Sequence, residues 1–200
     1  MKLLTVFTVS NNFCNFKPLI NNLSIMYIVL YVVLAIVGLF ILLALIAPKK
    51  YKVNRSIIIN KPLPEVFQYL KHIKNQDNWS PWKKKDPDMK QEFIGNDGEI
   101  GFIVKWDGNK EVGLGEQEIT NIIDNDRVEA RLRFFKPWKS ESDAATSVED
   151  VGNGKTKVTW GFSGVNKVPA NIFMMLYNVD KHVGKDFEEG LASLKEILEN

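Results

Sequence analysis

From Pro169 to Leu198 apolar residues recur at helical spacing, and one acidic residue, Asp180, falls on the same stripe, four after Leu176 and three before Val183. Burying a carboxylate costs several kcal/mol unless it is paired or protonated. Asp180 therefore orients a ligand's polar group, or works as an acid or base with a raised pKa, or is held in a structural ion pair, or reaches out to a cavity mouth. It is the best catalytic candidate in the chain, and no second group completes a motif with it. His72 and His182 each stand two residues, about 200°, from an inward helical position (Leu70 and Asp180), so both are expected to face solvent. No HExxH, GxSxG, P-loop or paired-histidine metal spacing occurs, and GFSGV lacks the last glycine of an esterase elbow. Cys14 is the single cysteine, which excludes an intrachain disulfide, a thiolate cluster and a cysteine nucleophile in the C-terminal part. No metal and no cofactor is expected.

The elements that must position these groups follow from the patterning. YKVNRSIIIN (51–60) alternates into a strand, and PLPEVFQYLKHI (62–73) sets Val66, Phe67, Leu70 and Ile73 on one helical face, with Pro64 suited to the first turn. A tryptophan-rich loop, NWSPW, follows. QEFIG (91–95), 101–108, 112–123, 128–135, 143–151 and 155–162 read as strands separated by turn signals, with DNDR and GNG as hairpin cues. The order strand, helix, antiparallel meander, long helix is α+β.

Several stretches resemble the START-like helix-grip superfamily (SRPBCC), in particular its polyketide cyclase/dehydrase-like branch: NWSPWKKKDPD (78–88), WDGNKEVGLGEQEIT (106–120), KTKVTWGFSG (155–164) and GKDFEEGLASLK (184–195). The resemblance covers about residues 51–199. It implies a curved antiparallel sheet wrapped around the C-terminal helix, with a cavity between them. The superfamily hosts ligand carriers, cyclases, hydrolase-like enzymes and chaperone regulators, and the resemblance carries no catalytic motif onto numbered residues of this chain.

Strand alternation names the side chains expected to face that cavity. Lys105 and Asp107 belong in solvent, so Phe102, Val104 and Trp106 point inward. Glu116 and Glu118 belong in solvent, so Gly113, Gly115, Gln117 and Ile119 point inward, the glycines leaving room. Val128, Ala130, Leu132 and Phe134, then Ala144, Thr146 and Val148, then Thr156, Val158, Trp160 and Phe162 complete the wall. The expected ligand-binding set is Phe102, Val104, Trp106, Gly113, Gly115, Gln117, Thr146, Trp160, Phe162 and Asp180. A closed core has the same pattern. Trp79 and Trp82 either form a lid or cover the end of a core, and IFMMLY (172–177) either is buried all round or lines the cavity entrance and touches lipid.

Between Ile25 and Ala47 lie 23 residues without a charge, Asn, Gln or Pro, sixteen of them Leu, Ile, Val or Phe. As a helix this is about 34 Å, enough for a hydrocarbon core of ~30 Å. A cleaved signal has a shorter run and small residues at −3 and −1, whereas a cut after Ala47 puts Leu45 at −3. A transmembrane helix over 25–47 is the expectation, after an N-terminal extension (1–24) expected to be disordered and before a short basic linker (48–52) and the helix-grip domain (53–199). Lys49, Lys50, Lys52 and Arg55 follow the span and only Lys2 and Lys17 precede it, which predicts a single-pass protein of the cell membrane with its domain in the cytoplasm. The formal charge of +2 comes from the first 50 residues, which hold four lysines and no acid; the remainder has 22 basic against 24 acidic residues, unlike a nucleic-acid binder. The expected function is binding of a hydrophobic small molecule or lipid. A cyclase/dehydrase-like enzyme and a ligand-independent domain regulating a membrane protein or chaperone are the alternatives.

Overall fold

The computed structural model describes residues 22–172, 175 and 178–200, and its chain divides into two units that meet at Leu42/Leu43. The first holds most of helix α1 (Asn22–Ile46). By length and composition α1 can cross a membrane. From Ile25 to Leu42 its apolar side chains are exposed on every side, Leu34 at 56% and Ile36 at 61%. The helix starts three residues before the expected span; of the N-terminal extension, residues 1–21 lie outside the described residues.

The second unit is built on a seven-stranded antiparallel sheet in the order β1-β7-β6-β5-β4-β3-β2. Its strands are β1 (Lys50–Ile59), β2 (Lys90–Ile94), β3 (Ile103–Asp107), β4 (Leu114–Ile123), β5 (Arg127–Lys136), β6 (Ser140–Gly152) and β7 (Lys155–Val165). Helix α2 (Leu63–Lys71) buries Val66, Phe67 and Leu70, and Pro64 sits in its first turn, where no amide donor is needed. The tryptophan-rich stretch is not a plain loop. It forms two short helices, α3 (Gln76–Trp79) and α4 (Pro81–Lys85), because Ser80 is extended and Pro81 presets the first helical position.

The C-terminal helix α5 runs Val179–Glu199. The pattern predicted a start at Pro169. Asn178 sets the later start, its Oδ1 accepting from the Lys181 amide at 2.9 Å, while Ala170–Ile172 is a separate 3-10 turn. The predicted stripe positions Phe173 and Leu176, and most of IFMMLY, lie outside the described residues. Phe187, Leu191, Leu194 and Leu198 are buried against the sheet with Val53, Ile59, Val158 and Trp160. Burial of those four helix side chains contributes roughly 6–12 kcal/mol. This curved sheet gripping its last helix is the helix-grip fold.

Candidate functional site

One row of paired residues crosses the inner face of the sheet, Gln91–Trp106–Gly115–Phe134, and the next is Val104–Gln117–Leu132. In the first row Trp106 lies over Gly115 and meets Phe134 edge-on, with ring centroids 5.8 Å apart. A Cβ on Gly115 would fall 2.5 Å from Trp106 Cζ2 and 2.6 Å from the Arg133 carbonyl oxygen. The second row sets the Gln117 amide between two aliphatic side chains. Opposite stands an aromatic cluster: Trp160 stacks on Phe187 at 4.1 Å, and Trp82 approaches Trp160 edge-on at 5.4 Å. Gly190 lets α5 come this close, since a Cβ there would lie 2.9 Å from Trp160 Cζ3.

Between these walls is a cavity of about 150 Å³. Val104, Trp106, Gln117, Trp160 and Phe162 line it, together with Leu132, Phe134, Ala144 and Phe187. The two tryptophans of the 78–82 stretch divide the roles proposed for them. Trp79 is buried in the core at 1% exposure, and Trp82 lines the cavity. Pattern reading missed Ile73 and Gln76 at the α2–α3 junction, Ser80 between α3 and α4, and Met89, Gln91 and Val112 beside the short strands. Gln91 faces Trp106 in register, a signal that the length of β2 could have supplied.

Besides Asp180, four expected site residues do not line the cavity. Phe102 is packed in the core beyond the cavity, nearly parallel to Phe93 at 6.3 Å. Thr146 is buried within the sheet and outside the lining. The glycines leave no room for a guest: Trp106 fills the space over Gly115, and at Gly113, with φ +76°, a Cβ would meet the Lys136 carbonyl at 2.5 Å.

Of the roles open to Asp180, the geometry matches the structural ion pair. Its side chain is 59% exposed and binds Arg55, with Nη1 to Oδ1 at 2.9 Å and Nη2 to Oδ2 at 3.1 Å. Arg55 occupies an inward position of β1, opposite Trp160, and its guanidinium also donates to Glu188 Oε1 at 2.6 Å while lying against Gly184. Hydrogen bonds from Arg55 hold the Asp180 carboxyl below the usual carboxylate range, and Asp180 and then Glu188 raise the Arg55 guanidinium above its ordinary value. This is a structural ion pair at the start of α5, of the wrong pKa direction for a general acid at neutral pH. Among the described lining residues none titrates near neutrality.

His72 and His182 are exposed, as their helical phase implied. His72 Nδ1 lies 3.5 Å from Asp97, and His182 Nδ1 is 2.9 Å from the Asn178 carbonyl. Among the described residues no group of three His, Cys, Asp or Glu side chains is placed to hold a metal. A wider concavity of about 520 Å³ lies on the outer face of the sheet, over Ala145 and Gly161. Its arginines are already engaged, Arg127 with Glu129 and Arg131 with Asp143.

No protein-family model and no curated protein matches the sequence. Solved structures do match in fold. A truncated norcoclaurine synthase from Thalictrum flavum superposes with TM-score 0.56 at 9% identity, over 76% of this chain and 96% of that one. The di-domain ARO/CYC StfQ of the steffimycin biosynthetic pathway gives 0.55 at 8%, over 74% and 50%. The Aha1 dimer from Colwellia psychrerythraea gives 0.52 at 20%, over 74% and 96%. The chain is similar to these in the helix-grip fold, and at such identities the likeness concerns the fold.

Proposed function

We propose that α1 anchors this chain in a membrane and that the cavity holds a hydrophobic small molecule or the hydrophobic end of a lipid. The observation that carries the proposal is a cavity walled mostly by apolar and aromatic side chains, into which the Gln117 amide projects without a hydrogen-bond partner among the described residues, with Gln76, Ser80 and Gln91 as its other polar groups. Gln117 is half-buried, and a polar group so placed on an apolar wall orients a guest. The size sets the guest. About 150 Å³ is below the ~300–1,000 Å³ of drug-sized sites and close to engineered cavities that admit benzene, so one ring or a short acyl end fits and a wider guest must displace Trp82. The neighbours named as a synthase and an ARO/CYC suggest catalysis. A reaction of that kind needs an acid or base at the cavity, and the described lining offers none, which favours binding.

The anchor accounts for α1. A helix apolar on every side needs lipid or protein around it. Only Ala47, Pro48 and Lys49 separate it from β1, a tether of ~10 Å that keeps the domain at the bilayer and raises its effective concentration toward membrane-dissolved molecules. The lysines after the span orient the domain toward the cytoplasm.

Mass spectrometry of an organic extract of the purified full-length chain is expected to reveal a stoichiometric guest. Titration with benzyl and naphthyl alcohols, read by tryptophan fluorescence, is expected to saturate. Gln117→Leu should weaken the alcohols by about tenfold and spare the matching hydrocarbons. An empty extract together with absent saturation would leave the ligand-independent interaction domain as the better account.

A further inference from the structure

The end of the sheet from which β1 starts is also where the β5–β6 hairpin turns. Ser142 pairs with Gly164, which pairs with Tyr51, and the Tyr51 hydroxyl crosses Gly164 to lie 2.6 Å from Ser142 Oγ. One step further along, the Asn166 amide donates to the Lys49 carbonyl at 2.8 Å. Ser140 is thus level with Lys49, and the turn beyond it, Lys136–Lys139, reaches the level of Ala47 and Pro48. It stands two to three strand spacings, ~10–14 Å, to the side.

This turn carries Trp138 at 64% exposure, after Phe135 at 41%. Val165 (62%) and Val168 (49%) are exposed on the segment that leaves β7 at the same end. Segments 47–53, 134–140 and 163–170 together hold six lysines and no Asp or Glu. Among the described residues no ion pair engages any of the six. The adjacent β3–β4 turn adds Lys110 and Glu111, which offset one another, and Asp86 beside it is occupied by the Asn109 amide.

Scattered exposed apolar residues need no explanation. Here a tryptophan flanked by lysines projects from the end of the sheet that follows an apolar helix within three residues, a composition that suits the headgroup layer of a bilayer. A protein partner would have to reach the same narrow space beside the lipid. We infer that the Phe135–Lys139 turn, with Val165 and Val168, is a second membrane contact, Trp138 seated among the headgroups and the six lysines facing anionic lipid. The inference rests on the anchor proposed above. The domain then stands end-on, with the β6–β7 turn at Gly152–Gly154 pointing away from the bilayer.

The test uses the full-length chain in nanodiscs of phosphatidylcholine, with or without phosphatidylglycerol, containing lipids brominated near the headgroup. The chain has five tryptophans, so contact at Trp138 should make up to about one-fifth of the emission quenchable. The quenchable part should vanish in Trp138→Phe and grow when phosphatidylglycerol is added. Lys136→Glu with Lys139→Glu should remove that growth. Adding Val151→Trp to the Trp138→Phe chain, at the far end of β6, should restore no quenching. A chain retained in the nanodisc whose Trp138 is unquenched overturns the contact and leaves the anchor standing. Quenching at both ends overturns the end-on stance. Failure of the chain to enter nanodiscs overturns both the anchor and the contact.

Discussion

Replacing Phe187 with alanine removes a ring that is buried to 3% exposure, stacks on Trp160 at 4.1 Å, and meets Trp82 at 6.0 Å and Phe162 at 5.8 Å. Phe→Ala in a core costs about 3–5 kcal/mol, from lost transfer energy and the cavity left behind. Two features of the site work against one another. Part of the ring already borders the 150 Å³ cavity, which lowers the loss, while three aromatic partnerships of about 0.5–1.5 kcal/mol each raise it. The expected cost is about 3–4 kcal/mol, measured by urea unfolding of the detergent-solubilised chain with an unchanged denaturant slope. The ring's space joins the existing cavity, so naphthyl alcohol should bind better as stability falls. Lys181→Ala, on the exposed face of α5, should change stability by less than ~0.5 kcal/mol. A loss below about 1 kcal/mol for Phe187→Ala, or equal losses in the two variants, would refute the packing described for α5.

Gly190→Ala should gain about 1 kcal/mol on helix propensity alone. It is instead expected to lose about 1–3 kcal/mol, because the new Cβ meets Trp160 at 2.9 Å and Pro81 at 3.2 Å, and Trp160 is held between Phe187 and Trp79; thermal unfolding decides the sign. For Asp180, Arg55 lowers the folded-state pKa, so the carboxylate's contribution is complete above the ordinary value near 3.8 and is lost as pH falls through the lower folded value. Asp180→Asn should therefore lower Tm at neutral pH, and the gap to the unsubstituted chain should close below about pH 4.

Strand alternation placed Val104, Trp106, Gln117, Trp160 and Phe162 on the inner face because a period of two admits few competing assignments. It failed at the glycines for a physical reason. A missing side chain marks space, and the pattern does not say whether a guest or a neighbouring ring fills it. Asp180 was misplaced because helical phase gives a direction and not the element met there. Arg55, at an inward position of a strand otherwise lined by Tyr51, Val53, Ile57 and Ile59, was the legible partner. Asn178 as a helix cap and Ser80-Pro81 as a helix start were likewise readable; the first lost to the longer apolar pattern around it, the second to the reading of NWSPW as a loop. The exposed tip at Trp138 lay beyond pattern reading, since its significance comes from register with Lys49, ninety residues away in sequence.

The pairing of β1 with β7 bears on how the protein is made. Every partner of β1, from Thr156 to Val165, is synthesised about a hundred residues after it. At ~5–20 residues per second, β1 waits roughly 5–20 s for its neighbour while the ribosome completes the meander. During that interval a strand ending in three consecutive isoleucines is unpaired. A preceding helix already threaded into the bilayer would hold that strand at one place beside its own ribosome, away from the nascent strands of other chains.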